Sequence, residues 1–190
     1  MLMQIGQKPE HDFSEPIGML EDCHKRILHF MQTLVALTES VGAAPLNADD
    51  RDALERSLRY FRESAPRHNS DEEESLFPRL QNHPEAQNGI SARISSLAAD
   101  HRWVEAQHLE IDTIGGRWLS AGVLHPRDHA RLRAIIHPLL RFYAHHIEIE
   151  EAEVFPAARR LLSATERDAV GREMAERRGL MAPHEAGVLP

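Results

Sequence analysis

His68-Asn69-Ser70-Asp71-Glu72-Glu73-Glu74-Ser75-Leu76-Phe77-Pro78 is the stretch on which the reading of this chain turns. It returns in altered form as His146-Ile147-Glu148-Ile149-Glu150-Glu151-Ala152-Glu153-Val154-Phe155-Pro156. Both copies follow the pattern His-x-x-x-Glu-Glu-x-x-apolar-Phe-Pro. On a helix, side chains four apart share one face, about one turn apart. His68 and Glu72 therefore point the same way, as do His146 and Glu150. An imidazole and a carboxylate on one face, repeated, make two half-sites for a metal ion. A single copy would be matched by any amphipathic helix with some solvated charge. Two copies with the same Phe-Pro offset are hard to obtain by chance.

The rest of the composition narrows the setting. The 190 residues suffice for one domain with a sizeable core. Hydrophobic residues at 42% place the chain among folded proteins. Aromatics at 5%, with Leu, Ala, Glu and Arg prominent, favour helix. A net charge of −8 and no basic stripe argue against nucleic acid or an anionic membrane as partner. The single cysteine, Cys23, excludes an internal disulfide and a cysteine-based zinc site. With no apolar leader and no run long enough to cross a bilayer, the expectation is a cytoplasmic protein. The 13 histidines are scattered, so their individual positions must decide what they do.

Taken in order, the chain reads as an N-terminal arm over 1–13, then a helix capped by Ser14 and running to about Ser40. Its stripe of Ile17, Leu20, Ile27, Leu28, Met31 and Leu34 has a helical period and includes His24. Alone, His24 reads as a core histidine. Pro45 and its neighbours break the helix, and Asn47 or Asp49 caps the second. That helix carries Leu54, Leu58, Phe61, His68 and Glu72 on one stripe, with Pro66 expected to loosen the turn before it. Asp71 and Glu74 read as a solvated acidic face. A turn over Gln81–Gly89 precedes a third helix, about Ile90–Leu119, with His101, Glu105 and His108 on its inner stripe. Pro126 opens a fourth helix bearing Tyr143, His146 and Glu150, which Pro138 is expected to interrupt. His145 is rotated by about 100° from His146 and should point elsewhere. A short fifth helix follows a Ser163 or Thr165 cap and closes at Gly179. Residues 180–190 read as a flexible tail. The fold class is thus all-α: an up-down-up-down four-helix bundle over 14–162 with a C-terminal helix over 163–179.

Spacing alone offers a geometric test. In such a bundle, two residues equidistant from the connecting turn sit at the same height. The midpoint of His24 and His68 is 46; of His68 and His101, 84.5; of His101 and His146, 123.5. All three fall on turns assigned independently. Four imidazoles, one per helix, should meet at one level, with Glu72 and Glu150 entering one turn further along. That is too rich a set for one tetrahedral zinc, and it suits two first-row ions bridged by carboxylates. Iron is the natural expectation; zinc and manganese have compatible ligands.

These residues resemble the hemerythrin-like HHE cation-binding family. The resemblance rests on His24, His68-x-x-x-Glu72 with Leu76-Phe77-Pro78, His101, and His146-x-x-x-Glu150 with Phe155-Pro156, and covers roughly 14–162. It implies a four-helix bundle around two non-haem iron ions, with carboxylate and oxo or hydroxo bridges. Glu72 and Glu150 would correspond to the bridging carboxylates, and the four histidines to terminal ligands. Oxygen-carrying hemerythrins have a second histidine where Glu105 stands, and a wider His-to-Asp spacing in the last helix. The pattern is closer to the bacterial repair-of-iron-centres type, which usually carries an additional cysteine-containing N-terminal domain. Glu105 is a further possible ligand, and Tyr143 a possible hydrogen-bonding neighbour of the metals. The function expected is binding or sensing of a small diatomic ligand, oxygen or nitric oxide. The alternatives are a di-iron redox enzyme that consumes peroxide or nitric oxide or repairs iron centres, and an iron-storing or structural bundle.

Overall fold

Every stripe with a helical period becomes a helix. The computed structural model describes residues 10–42, 44–87 and 89–180. Among these the regular elements are all helical. They are α1 (Pro16–Ser40), α2 (Ala48–Glu63), α3 (Ala65–Ser70), a π-helical turn (Asp71–Leu76), α4 (Phe77–Asn82) and a 3-10 turn (Pro84–Gln87). There follow α5 (Ile90–Ala121), α6 (Pro126–Ile149), a second π-helical turn (Glu150–Val154), α7 (Phe155–Leu161) and α8 (Ala164–Glu176). The fold is the expected helical bundle with an extra C-terminal helix. No described helix is long and apolar enough to cross a membrane. Residues 1–9 of the expected arm and 181–190 of the expected tail lie outside the described residues.

The prolines act differently from one another. Pro66 has no N–H for the Arg62 carbonyl, and the chain leaves α2 at Ser64 before resuming as α3. Pro138 was expected to interrupt its helix but lies inside α6, which is continuous from Pro126 to Ile149. Pro78 and Pro156 have the largest effect. Each lacks an N–H for the carbonyl four residues back, and in a regular helix its ring would press on that carbonyl. The preceding turn widens to relieve this. The Phe77 N–H reaches the Glu72 carbonyl, and the Phe155 N–H reaches the Glu150 carbonyl, each five residues back. The Phe-Pro pairs are thus not helix ends. They are why both acidic motifs are wound as π-helix.

Contacts divide the chain into two compact units. One comprises His24–Pro66 and Leu97–Glu148. Its core gathers Ile27, Met31, Leu34, Leu54, Leu58, Phe61, Val104, Ile111, Trp118, Leu132, Ile136 and Leu139, all buried. Asn47 caps α2 by accepting the Asp50 N–H at 2.8 Å, as expected. Gly115 lies inside α5. It lets α5 approach Leu58, whose side chain would lie 2.6 Å from an added Cβ. Trp118 is buried, whereas Trp103 lies at the edge, its ring 4.7 Å from that of Phe142.

The other unit comprises the segments up to Cys23, Arg67–Ser96 and from Ile149 onward. It holds both π turns and α8. Ser163 and Glu166 close a reciprocal capping box at the start of α8, and Gly179 follows it with φ +68°. Ser14 does not cap α1; its hydroxyl donates to Asp12 Oδ1 at 2.6 Å. Gly171 is obligatory, since a Cβ there would lie 1.9 Å from the Phe13 carbonyl oxygen. Asp71 overturns the reading of a solvated acidic face. It is 0% exposed. Arg178 Nη2 donates to its Oδ2 at 2.7 Å, and Arg177 Nη1 to its Oδ1 at 2.9 Å. Both arginines follow α8, so the fifth helix covers a face that a four-helix bundle would leave to water. Glu73 and Glu74 are exposed, as expected for Glu74.

Breaking a buried ion pair from one side is strongly destabilising, while exposed pairs contribute little. Asp71→Ala should lower unfolding free energy by about 3 kcal/mol. Glu153→Ala, which removes the exposed Arg93–Glu153 pair, should change it by less than about 1 kcal/mol. Urea unfolding of the two variants checks this; equal effects would contradict the buried-clamp account.

Candidate metal centre

The two His-x-x-x-Glu pairs keep their helical geometry because each ends where its π turn begins. His68 is the fourth residue of α3, and Glu72 the second of the first π turn. His146 lies near the end of α6, and Glu150 opens the second π turn. His68 Nε2 and Glu72 Oε1 are 3.5 Å apart. All six expected ligands, His24, His68, Glu72, His101, His146 and Glu150, are buried. They fall into two groups whose ligand atoms lie within 4.8 Å of one another. One is His24, His68, Glu72 and Glu150; the other is His101, His146 and Glu150. Glu150 belongs to both.

Burial pushes the Glu72 carboxyl well above its ordinary value, and the nearby Glu150 carboxylate pushes it in the same direction. Two buried carboxylates side by side are unfavourable unless positive charge meets them. In the second group, His101 Nε2 and His146 Nε2 face each other at 3.1 Å. Two nitrogens each about 2.1 Å from one ion, at about 90° to each other, would be about 3 Å apart. His146 Nδ1 lies 3.2 Å from Asp100 Oδ2. An Nδ1–H donated to that carboxylate leaves Nε2 as the lone-pair nitrogen, the usual device for orienting a histidine ligand. Neutral imidazoles with carboxylates are a donor set that fits first-row divalent ions.

Some expected positions come out differently. Glu105, expected on the inner stripe, is exposed and belongs to neither group. The buried stripe of α5 steps by three and four through Ile94, Leu97, His101 and Val104, and returns one heptad later at Ile111 and again at Trp118. Val104 takes the inward position, and Glu105 is turned about 100° from it. His145 points away, its side chain 75% exposed, as expected. Tyr143 is buried one turn before His146, and its Oη lies 2.7 Å from His108 Nε2. Asp100 and His108 carried no functional signal in the sequence. Their partners come from α6, and no spacing rule links them. Burial lowers the His108 pKa from 6.5 to about 3, so the ring is neutral at pH 7.

The model of the hemerythrin HHE cation-binding domain matches residues 15–158. The chain therefore belongs to the hemerythrin HHE family of cation-binding domains. An uncharacterized protein of Haemophilus influenzae is 29% identical over 172 residues, covering 87% of this chain and 91% of that protein.

The His108 shift has a consequence for stability. The unfolded chain protonates this residue below about pH 6.5 and the folded chain only near pH 3. Its contribution is fully present above pH 6.5 and is lost as pH falls from 6.5 toward 3. Wild type should lose more unfolding free energy than His108→Phe between pH 7 and pH 4.5, as measured by urea titration. Equal losses would mean that His108 does not resist protonation in the fold.

Proposed function

We propose that this chain is a non-haem di-iron protein that binds or senses a small diatomic ligand, oxygen or nitric oxide. The reading rests above all on Glu150, which is common to two buried groups of ligand atoms. His24, His68 and Glu72 would hold one ion, and His101 and His146 the other, with Glu150 reaching both. Glu72, which the family resemblance also makes a bridge, groups with the first set. The donor set is compatible with zinc and manganese too; iron is proposed because it combines with such ligands in sites that take up diatomic molecules.

Iron held there would supply open coordination positions and redox chemistry. The chain's own residues would do the rest. Asp100 accepts the His146 Nδ1–H and keeps Nε2 directed inward. The buried carboxylates would offset the charge of the ions. Consumption of peroxide or nitric oxide at the same centre is the competing reading, and steady-state turnover distinguishes it.

Freshly purified, iron-loaded protein should contain two irons per chain and absorb in the near ultraviolet. Adding oxygen or nitric oxide to the reduced protein should change the spectrum reversibly, without sustained turnover of hydrogen peroxide. Colourless zinc-containing protein would overturn the iron assignment, and sustained turnover would favour the enzyme reading. His101→Ala and Glu72→Ala should each drop the metal content below two ions, whereas His145→Ala should leave it intact. Asp100→Asn should weaken metal affinity about 10- to 100-fold. Full stoichiometry in both ligand variants would contradict the assignment of those residues.

A further inference from the structure

The two π turns are wound alike but held differently. In the register of the repeated motif, Asp71 of the first copy corresponds to Ile149 of the second, and Ser75 to Glu153. Asp71 is fully buried and meets both guanidinium groups that follow α8. Arg178 donates to it with two nitrogens, at 2.7 Å to Oδ2 and 3.2 Å to Oδ1. Arg177 donates to Asp71 Oδ1 at 2.9 Å and to Ser75 Oγ at 2.6 Å. A third arginine, Arg79 of α4, donates to the Ser75 carbonyl oxygen at 2.7 Å. The same guanidinium makes a two-pronged pair with Glu173 of α8, at 2.6 and 3.0 Å. In the second turn Ile149 is apolar, and Glu153 pairs with Arg93 at 2.9 Å, the two side chains 40% and 52% exposed.

The bonds on the first turn are charge-assisted and largely shielded from water, the class that fixes geometry most firmly. They grip the residues on either side of Glu72. Asp71 precedes it, Ser75 follows it one turn later, and both are tied to α8 or the segment after it. Glu72 itself groups with His24, His68 and Glu150. A ligand carried on a turn keeps its aim only as well as the turn is held, and loosening that support weakens metal binding.

We infer that Arg177 and Arg178 are positioning residues for one half of the proposed centre. Acting through Asp71, they fix Glu72, so that docking of α8 and binding of the ion held by His24, His68 and Glu72 reinforce each other. The ion held by His101 and His146 is indifferent to α8. The inference rests on the two-ion reading above but not on the identity of the metal. Simple charge predicts the opposite sign. Removing a guanidinium leaves more net negative charge near the ions and would by itself tighten cation binding.

Calorimetric titration of the metal-free full chain with zinc(II), which has no redox chemistry, reads affinity without reading activity. Wild type should take up two ions. In the His101→Ala background, which keeps the Glu72 half, Arg178→Gln should weaken zinc binding at least about fivefold. In the His68→Ala background, which keeps the other half, the same change should alter it less than about twofold. Leu132→Ala, a cavity in the core of the other unit, should leave wild-type affinities unchanged. Because coupling is reciprocal, zinc should slow amide exchange across α8 in wild type, and less so in Arg178→Gln. Equal weakening in both backgrounds, unchanged or tighter binding in Arg178→Gln, or α8 exchange that zinc does not alter would each overturn the inference and leave the two-ion reading standing. Uptake of fewer than two ions by wild type would overturn both.

Discussion

Two carboxylates, Glu72 and Glu150, share the interior of one unit of this protein, both fully buried. Like charges withdrawn from water repel strongly and lose their hydration. A chain keeps such a pair only where a proton or a cation neutralises it. The rise in the Glu72 pKa, driven first by burial and then by Glu150, expresses the same constraint. With His68 beside Glu72 and imidazoles in both groups, the proposed ligand set supplies donors for such a cation. Membership of a cation-binding family is then the expected outcome of the physics.

The backbone prepares that arrangement in an economical way. A proline after each acidic motif takes a donor from the helix and forces one wider turn. Each π turn begins only as the His-x-x-x-Glu spacing ends, at Asp71 and at Glu150, so histidine and glutamate keep a common face while the residues after them are shifted. On the first motif that shift accompanies a second layer of order. Asp71, next to Glu72, is clamped by Arg177 and Arg178, and Ser75 accepts from Arg177 Nη2 at 2.6 Å. The helix that looks like an appendage in the sequence therefore stabilises the turn on which a proposed ligand sits.

The repeated motif was legible because helical spacing and repetition are local properties. His24 and His101 were legible only through the turn midpoints, which convert chain positions into heights. Four features were hidden, each for a physical reason. The π turns depend on a missing N–H several residues away, and the Phe-Pro pairs stood out in the sequence only as a repeated offset. The burial of Asp71 depends on arginines more than a hundred residues later, so its acidic neighbours made it look solvated. The exposure of Glu105 depends on whether the α5 stripe steps by three or by four after His101, and both steps fit the composition. His108 and Asp100 make their contacts with α6, across helices, where no pattern along a single helix can reveal them.

The central claim is that imidazoles and two buried carboxylates hold a pair of metal ions. X-ray absorption at the iron edge on the loaded protein addresses it directly. The account predicts a mixed nitrogen and oxygen shell, multiple scattering from histidine rings, and backscattering from a second iron. A purely oxygen shell without imidazole scattering, or the absence of any metal–metal feature at full loading, would contradict it.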